Sequence, residues 1–416
     1  MGIVVQKFGG SSVADADRIR NVAKAVIKEK NAGNKVVVVV SAMGKTTDYL
    51  TKLAHEVAAH PDSRELDMLL TTGEQVSIAM LAMALQSEGE KAISMNAAQI
   101  GIITENVHTK ARIVDVKTDK LLEKLNEGYI VVAAGFQGVT PEGEITTLGR
   151  GGSDTSAVAI AAALNADYCD IYTDVDGVYT ADPRIVNSAA RLDKILYSEM
   201  LELARVGAKV LHPRSVETAK QFDVKLRVRS SFNLDDLGTM VVGEELMEIY
   251  RPVSGVAADL NQVRISVLDV PEAPGTAAAL FGKLAAHNVS VDMIIQTHAI
   301  KAETNNIDFT VAKSDFDEAM KLVDEFAKEF KAGEVIIDDK ISKVSIVGAG
   351  MIDRPGIAAK MFQALAQSGI NIEMISTSEI KISCVISKEH SEKAVKALHT
   401  IFDLDQNEGT AKVYGL

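Results

Sequence analysis

The sequence contains few cysteines and no excess of positive charge. Its 416 residues include two cysteines, Cys169 and Cys384, which lie far apart. Such a pair provides neither a disulfide framework nor a metal cluster and is typical of a reducing cytoplasm. The formal net charge of -13 argues against a surface for nucleic acid or an anionic membrane. We therefore expect a cytoplasmic protein in which an anionic ligand needs a local cluster of cations.

Targeting and membrane-spanning signals are also lacking. The start of the chain, residues 1–7, has no basic region followed by a long apolar one, so we expect no secretory signal. No run approaches the ~20 apolar residues of a membrane span. Hydrophobic residues make up 47% of the chain, which is enough for a sizeable core, and the length suits roughly two to four domains.

The most distinctive stretch is the glycine loop at residues 148–156. Its three glycines let the backbone approach a ligand closely, and an Ala-rich run at 157–164 predicts a helix directly after it. Ser153 or Asp154 stands where the helix N-cap is expected. A glycine loop at a helix N-terminus offers unpaired N–H groups to a phosphate or carboxylate. An ordinary tight loop can have the same composition, so the assignment depends on the surrounding motifs.

A strand, loop and helix pattern occurs twice near the start of the chain. The run at 3–8 predicts a strand that ends at the glycine turn 9–12, and five valines at 36–40 predict a buried parallel strand. The second strand is followed by a hydroxyl-rich loop at 41–48. Ligands bind at the carboxyl ends of strands in open α/β sheets, so we expect Lys7 and both loops at one ligand-binding edge.

Three later stretches extend this pattern. Residues 69–75 open a helix that carries Glu74, which by itself suits a favourable first-turn acid. The acidic segment 174–184 has its glycine too early and lacks the final glutamate of a calcium loop. Its tyrosine and arginine suit a nucleotide better. Residues 207–213 supply a further lysine.

Taken together, five motifs in order resemble the amino acid kinase superfamily and, within it, the aspartate kinases: residues 7–12, 72–74, 149–154, 173–179 and 209–213. The resemblance covers essentially the whole chain. It implies an α/β fold with a mainly parallel open sheet between helix layers. The implied reaction is transfer of a phosphoryl group from ATP to the side-chain carboxylate of aspartate, the first step in the biosynthesis of lysine, threonine and methionine. ATP implies Mg2+, and we expect no dedicated set of protein ligands for the metal.

The resemblance also implies roles for individual residues. Glu74 is expected to hold the α-ammonium of aspartate and Arg150 its α-carboxylate, since arginine binds carboxylates in a bidentate manner. The implied catalytic residues are two lysines that offset the charge of the phosphate and an acid that orients them: Lys7, Lys209 and Asp154. Other positions lining the aspartate site are Ser41, Thr47 and Ser153. The implied contacts to ATP, besides those lysines, are Gly9, Gly10, Ser11, Gly151, Gly152, Thr173, Asp174, Tyr179 and Arg184.

The last third of the chain contains an internal repeat. Residues 274–294 and 355–375 share nine identities in 21 aligned positions, a repeat too long for chance similarity of composition. Each copy has the pattern of a βαββαβ unit. The pair resembles tandem ACT domains, which are ferredoxin-like amino-acid sensor modules.

This second resemblance implies feedback inhibition by lysine, threonine or both. The implied ligand positions are Glu272, Ala277, Ser290, Asp292 and Gln296 in the first copy and Ile357, Asn371, Ile372, Ser378 and Glu379 in the second. A duplicated module can also serve dimerisation alone. The expected domains are 1–245 for catalysis and 263–340 and 341–416 for the two modules, with a strand near 253–260 packing on the regulatory part.

Two alternatives remain beside a regulated aspartate kinase. One is a related kinase acting on a glutamate derivative, carbamate or a nucleotide, and the other is an inactive amino-acid-binding regulator. The sequence leaves open which amino acid inhibits and the resting balance of active and inhibited states. It also leaves open whether the assembly is a homo-oligomer or an α2β2 complex with a short subunit starting near Met247. His55, His60 and His108 are expected at the surface.

Overall fold

The computed structural model describes residues 2–208, 210–243, 251–298, 304–352 and 354–405. These residues form two compact units, one built from 2–179 and 190–243 and the other from 180–189 and 251–405. Lys209 and Met247 lie outside the described residues.

The first unit contains two sheets and their covering helices. Its strands are β1 (Ile3–Phe8), β2 (Lys35–Val40), β3 (Ala92–Met95), β4 (Ile102–Thr104), β5 (Ile113–Val116), β6 (Ile130–Ala134), β7 (Gln137–Val139), β8 (Ile145–Thr147), β9 (Tyr168–Thr173), β10 (Lys194–Leu196), β11 (Leu226–Ser230) and β12 (Thr239–Val242). Its helices are α1 (Ala16–Asn31), α2 (Thr46–Val57), α3 (Ser63–Leu70), α4 (Thr72–Ser87), α5 (Ala97–Ile100), α6 (Asp119–Asn126), α7 (Gly152–Ala163), α8 (Tyr197–Arg205) and α9 (Pro213–Gln221).

The main sheet is open and almost entirely parallel. Its strand order is β10-β12-β11-β9-β1-β2-β6-β3, and its one antiparallel pairing is between β11 and β12. The smaller sheet has the order β5-β4-β7-β8. The mainly parallel α/β architecture expected from the sequence is therefore confirmed.

Both faces of the main sheet are covered. The valines of β2 at 36–40 are all buried, as expected for a central parallel strand. Every second one joins a core with Ile19 and Val22 of α1 and Leu81 and Leu85 of α4. Helix α7 packs against β1, β2 and β9. This packing fixes the strand ends from which the site is built.

Helices α3 and α4 follow one another over Ser63–Ser87. By length and composition alone this stretch could cross a membrane, but half of its most apolar window is buried inside the protein. The stretch also carries two buried acids, Asp67 and Glu74. It therefore reads as a core helix pair of the first unit.

The second unit contains two four-stranded antiparallel sheets. Its strands are β13 (Gly255–Asp259), β14 (Gln262–Pro271), β15 (Val291–His298), β16 (Thr304–Ala312), β17 (Val335–Asp338), β18 (Ile341–Val347), β19 (Met374–Thr377) and β20 (Lys381–Ser387). Its helices are α10 (Thr276–Ala286), α11 (Phe316–Phe330), α12 (Ile357–Gln367) and α13 (Ser391–Ile401). The strand orders are β15-β16-β14-β17 and β13-β18-β20-β19.

The second sheet borrows its edge strand from upstream in the chain. Strand β13 precedes the whole first module, yet it pairs with β18 of the second module from Gly255↔Val347 to Asp259↔Lys343. The segment 180–189 joins the same module, where Ala181 and Val186 enter the apolar core. The carbonyl of Thr180 accepts a hydrogen bond from Val256 N at 2.8 Å. The second module is thus completed by two segments that lie earlier in the sequence.

The two modules are joined by ion pairs and an apolar cluster. Arg264 of β14 lies 2.8 Å from a carboxylate oxygen of Glu373, and Lys343 of β18 pairs with Asp292 of β15. Burial alone would raise the pKa of Asp292, but the Lys343 ammonium outweighs it, so the pKa of Asp292 is lowered. Lys343 is almost fully buried. Loss of Asp292 would leave its charge buried without a partner and would weaken the contact between the modules.

Candidate active site

The site is built at the carboxyl ends of four adjacent parallel strands. Phe8 pairs with Val40 and with Tyr172, and Val40 pairs with Ala134, so the ends of β1, β2 and β6 lie in one row with the last residue but one of β9. The loops that follow these strands therefore leave the sheet side by side. Rings of Phe8 and Tyr172 stack at 4.4 Å beneath them. This edge is where ligands bind in open α/β sheets.

Lys7 and Asp154 form an ion pair at this edge. The ammonium of Lys7 lies 2.6 Å from Asp154 Oδ1, and each side chain is only 12% exposed. Lys7 stands on β1 one residue before its end, and Asp154 lies in the first turn of α7. Because both groups are largely removed from water, the carboxylate holds the lysine in one position.

The glycine turn after β1 lies against the loop after β2. A Cβ atom at Gly10 would lie 2.8 Å from the carbonyl oxygen of Ala42, and one at Gly9 would lie 3.5 Å from Lys7 Nζ. The amide of Gly44 donates to the carbonyl of Gly10 at 3.0 Å. Only glycine allows this close approach at position 10. Ser11, which follows, is exposed in a short 3-10 turn.

Helix α7 begins earlier than its sequence predicts. Its N-cap is Gly151, with φ of 70°, so Ser153 and Asp154 lie within the first turn and are not capping residues. The expected cap was wrong because a glycine in the left-handed region starts the helix without a side-chain acceptor. Both side chains are consequently free to face away from the helix end. The amide of Gly152 donates to the carbonyl of Gly149 at 3.0 Å. The other N–H groups of this first turn have no partner within the helix and lie beside Lys7, an arrangement that suits an anion.

His212 packs directly on this glycine loop. A Cβ atom at Gly151 would lie 2.1 Å from His212 Cγ, so the loop exists only with glycine at that position. Burial lowers the pKa of His212, the Asp154 carboxylate raises it, Arg214 lowers it, and the net direction is down. His212 is therefore neutral near pH 7. The segment that follows Lys209 in sequence is thus brought onto the glycine loop.

Glu74 is a buried carboxylate with one unused oxygen. It is 2% exposed, and its Oε1 accepts a hydrogen bond from Ala42 N at 2.9 Å. Its Oε2 is buried without a hydrogen-bond partner among the described residues. Burial raises the pKa of Glu74 to about 7. A buried oxygen of this kind needs a donor, and an ammonium group would satisfy it.

The other residues predicted for the aspartate site lie on the surrounding loops. Ser41 follows β2, Thr47 lies in the first turn of α2, and both are half-buried. Ser153 is buried, and a Cβ atom at Gly135 would lie 2.8 Å from its Oγ. Arg150 is exposed and belongs to no ion pair within the described ranges. Its guanidinium is available to a ligand carboxylate.

The residues predicted for the nucleotide are divided between the two units. Thr173 ends β9 and donates to Asp174 Oδ1 at 3.1 Å, and the hydroxyl of Tyr179 donates to Asp176 at 2.9 Å. Arg184 belongs to the segment 180–189 of the second unit, where its 88% exposed side chain pairs with Asp182. Thr173, Asp174 and Tyr179 thus lie at the end of β9 or shortly after it in the first unit. Arg184 belongs to a segment of the second unit.

Comparison with known proteins identifies the chain. The amino acid kinase family matches residues 2–230, and the ACT domain matches 265–326 and 344–402. The aspartokinase of Bacillus sp. (strain MGA3) is 53% identical over 97% of this chain and 98% of its own length. The chain belongs to the amino acid kinase family, and within it to the aspartokinases.

Solved aspartokinase structures share the fold over the whole chain. E. coli aspartokinase III in complex with aspartate and ADP (R-state) is 28% identical, with a TM-score of 0.82, and the match covers 96% of this chain and all of that one. The same enzyme in complex with lysine and aspartate (T-state) gives a TM-score of 0.76 at 28% identity, over 96% of this chain and 99% of that one.

The predicted regulatory residues of this aspartokinase do not form one site. In the first module Ala277 and Gln296 line a cavity of about 150 Å³ at the start of α10, together with Thr276 and Asn305. Glu272, Ser290 and Asp292 are not among its lining residues, and Asp292 is engaged by Lys343. The second-module positions are mixed: Ile357 and Ile372 pack on the core, and the exposed ones are Asn371, Ser378 and Glu379.

Sequence reasoning missed several groups around the aspartokinase site. Ala42 contributes a backbone N–H, which leaves no signature in residue type. Phe136 has φ of 67° and lies 3.0 Å from a Cβ position at Gly152. His108, expected at the surface, instead lies beside the buried Asp67 at 2.9 Å, and its side chain is 19% exposed. Within the described residues no group of three His, Cys, Asp or Glu side chains is arranged to hold a metal ion.

Proposed function

We propose that the chain transfers the γ-phosphoryl group of ATP to the side-chain carboxylate of L-aspartate, giving 4-phospho-L-aspartate and ADP. The observation that carries this proposal is the Lys7–Asp154 pair, which stands beside the glycine loops at the strand ends. The half-satisfied Glu74 lies across the adjoining loop at Ala42. The chain's relatives include an E. coli aspartokinase solved with aspartate and ADP.

In this reaction a carboxylate oxygen of aspartate attacks the γ-phosphorus while the bond to the departing ADP breaks. The protein forms no covalent bond, so its contribution is positioning and charge stabilisation. Lys7 offsets charge on the transferring group, and Asp154 holds the lysine in place. The N–H groups of Gly9, Gly10 and the α7 turn at 151–152 bind phosphate oxygens. Lys209 serves as the second cation by family resemblance.

Aspartate is held through its α-amino and α-carboxylate groups. Glu74 Oε2 accepts a hydrogen bond from the ammonium, which satisfies an otherwise unpaired buried oxygen. Arg150 binds the α-carboxylate as a bidentate partner. The hydroxyls of Ser41, Thr47 and Ser153 complete the contacts. Binding both ends of the zwitterion directs the side-chain carboxylate toward the phosphate.

The nucleotide is contacted by the residues after β9. Thr173 and Asp174 contact the ribose and phosphate side, Tyr179 lies against the adenosine, and Arg184 adds a cation. Mg2+ bound with ATP would offset phosphate charge, and because the described residues offer no group of three acidic, His or Cys side chains for it, phosphate oxygens and water would supply most of its ligands.

One assay separates this function from its alternatives. With ATP and hydroxylamine present, the acyl phosphate is trapped as a hydroxamate only if the acceptor is a carboxylate. We expect hydroxamate with L-aspartate and none with L-glutamate, carbamate or a nucleotide. ADP release is measured in parallel with each acceptor, because it detects a related kinase that phosphorylates carbamate or a nucleotide, whereas an inactive regulator releases none while still binding an amino acid.

The ACT modules make lysine the first inhibitor to test, with threonine as the second. Support comes from the cavity at the start of α10, where Thr276, Ala277 and Gln296 meet, and from the relative solved with lysine. The remaining predicted positions stay predictions that rest on the family resemblance. Activity is measured without either amino acid, with each alone and with both at millimolar concentration. Activity equal in all four conditions would reject feedback inhibition.

The remaining proposals concern the domain bounds, the cellular location and the assembly of the protein. Catalysis occupies 1–245 and sensing 263–416, with the upstream strand packed on the sensing part. The chain works in the cytoplasm, since both of its cysteines are buried and free, and it forms a homo-oligomer through its ACT modules. Light scattering combined with N-terminal sequencing distinguishes this assembly from an α2β2 complex containing a fragment that starts near Met247.

A further inference from the structure

Asp67 is a buried carboxylate with a full set of hydrogen-bond donors. It lies on α3, is 0% exposed, and its Oδ1 accepts from the hydroxyl of Thr147 at 2.6 Å. Its Oδ2 accepts from Thr109 N at 3.0 Å and pairs with His108 Nδ1 at 2.9 Å. A buried carboxyl group of this kind is costly unless its oxygens have hydrogen-bond partners. Its donor Thr147 directly precedes the glycine loop, and this contact connects Asp67 to the site.

One donor to Asp67, Thr147, stands at the base of the glycine loop, and the other two, His108 and Thr109, belong to the segment that leads to Ala111. Thr147 is the last residue of β8, three positions before Arg150, and its carbonyl accepts from Ala111 N at 3.0 Å. Arg214 completes the clamp from α9, because it donates to the carbonyls of Leu148 at 2.6 Å and Ala111 at 2.9 Å. The loop that carries Arg150 is therefore tied to α3 on one side and α9 on the other.

The same helix pair carries Glu74. The amide of Thr71 donates to the carbonyl of Asp67 at 3.1 Å, and α4 begins at the next residue. Glu74 lies in the first turn of α4 with its carboxylate buried. Fewer than two helical turns thus separate Asp67, which holds the loop, from Glu74, which is assigned to the ammonium of aspartate.

We propose that Asp67 is a positioning residue that fixes the distance between Glu74 and Arg150 and thereby selects the spacing of amino and carboxylate groups in the amino acid. The inference rests on the proposed function, because it assigns Glu74 and Arg150 to the two ends of aspartate. Asp67 touches neither ligand. Its effect is on the affinity for aspartate, and the nucleotide contacts after β9 are outside its network.

The test compares two neighbouring threonines on β8. Thr147→Val removes the hydroxyl that Asp67 holds, while Thr146→Val removes a buried hydroxyl paired with Thr104 at 2.6 Å. Both changes delete one buried hydrogen bond and keep the side-chain volume. Thr147→Ser keeps the hydroxyl, and Asp67→Asn is the direct variant. Steady-state KM for aspartate and for ATP, together with thermal denaturation, are measured for each variant.

We expect Thr147→Val to raise KM for aspartate roughly tenfold, since small displacements of a positioning group have effects of this size or larger. KM for ATP stays within about twofold, and Thr147→Ser restores the wild-type value. Thr146→Val lowers the melting temperature by a similar amount but leaves both KM values unchanged. Asp67→Asn behaves as Thr147→Val if it folds.

Equal changes in both KM values, or the same change in Thr146→Val, would show that Asp67 is only structural and overturn the proposal. That outcome is separate from failure of the proposed function. If the wild-type protein gives no hydroxamate with aspartate, the function itself is wrong. If it gives hydroxamate and Thr147→Val has wild-type kinetics, only the positioning role is wrong.

Discussion

The ammonium of Lys7 lies 2.6 Å from Asp154 Oδ1, and this contact joins the end of β1 to the first turn of α7. It brings together a strand near the start of the chain and a helix near its middle. A cation and an N-terminal helix turn then face the same small volume. Because the pair is nearly buried, the protein holds this cation in place before any ligand arrives.

Lys7→Ala is expected to lower kcat by about 10²-fold or more, the usual effect of losing a group that stabilises transition-state charge. It also leaves the buried Asp154 without its cation, so the melting temperature falls. The control is Lys35→Ala, which removes a lysine from the start of the adjacent strand, where it bonds Asn126. Hydroxamate formation measures both variants. Wild-type turnover in Lys7→Ala would contradict the assigned role.

The raised pKa of Glu74, about 7, makes aspartate binding depend on pH. The ionised form accepts the ammonium, so KM for aspartate should fall as the pH rises from 6 to 8, while KM for ATP changes little. In Glu74→Gln the KM for aspartate is high at every pH in this range. Glu88→Gln, at the exposed end of the same helix, is the control and should behave as wild type. A pH profile that persists in Glu74→Gln would refute this explanation.

Glu74 also changes the free energy of unfolding between about pH 4.5 and pH 7. The folded state keeps the Glu74 proton up to about pH 7, whereas the unfolded chain loses it near 4.5. The free energy of unfolding should therefore fall as pH rises from 4.5 to 7, by on the order of 3 kcal/mol. Glu74→Gln lacks this slope. Urea denaturation of both proteins at pH 5 and pH 8 isolates the difference, and parallel curves would show that burial of Glu74 is not the cause.

Gly151→Ala should be much more disruptive than Gly143→Ala. Both glycines have positive φ, 70° and 92°, but a Cβ atom at Gly143 meets nothing within 4 Å. Gly143→Ala therefore reports the backbone penalty alone, about 1–2 kcal/mol. At Gly151 the added atom collides with His212 and displaces the α7 turn, so kcat should be lost as well. Similar melting temperatures for the two variants would exclude the steric explanation.

Filling the first-module cavity should relieve inhibition without affecting catalysis. Ala277→Leu occupies the space of about 150 Å³, whereas Ala285→Leu adds the same side chain at an exposed position of α10. We expect a higher inhibitory concentration of lysine or threonine only for Ala277→Leu, with unchanged KM for aspartate and ATP. Inhibition curves at several lysine and threonine concentrations provide the measurement. Identical curves for the two variants would place the inhibitor elsewhere.

Much of the catalytic fold could be predicted because its central strands are continuous apolar runs. The valines of β2 are buried on both faces, and that property is visible in one sequence. The short strands β4, β10 and β12 were missed, because a run of three or four residues is too short to show an alternation of apolar and polar residues. The N-cap at Gly151 was missed for another reason: its conformation depends on His212 packing beside it, a contact between distant parts of the chain.

The site was predicted best where side chains do the chemistry. Lys7, Asp154 and Glu74 belong to recognisable motifs. The structure pairs Lys7 of β1 with Asp154 of α7 and places Glu74 of α4 against the loop after β2. Groups that act through the backbone, such as Ala42, or through buried polar contacts, such as Asp67, have no pattern at the level of residue type. Their roles follow from partners that only the folded chain brings within hydrogen-bond distance.

The pairing of β13 with β18 sets the order in which the C-terminal part can be completed. As the chain leaves the ribosome, β13 emerges before the whole first module. It cannot pair until β18, which follows that module, has been synthesised, so one of its edges stays open until then. A truncated fragment that begins at β14 would expose β18 to other molecules and would tend to aggregate. An independently expressed sensor should therefore start upstream of Gly255, and the boundary suggested by the repeat alone would cut through a sheet.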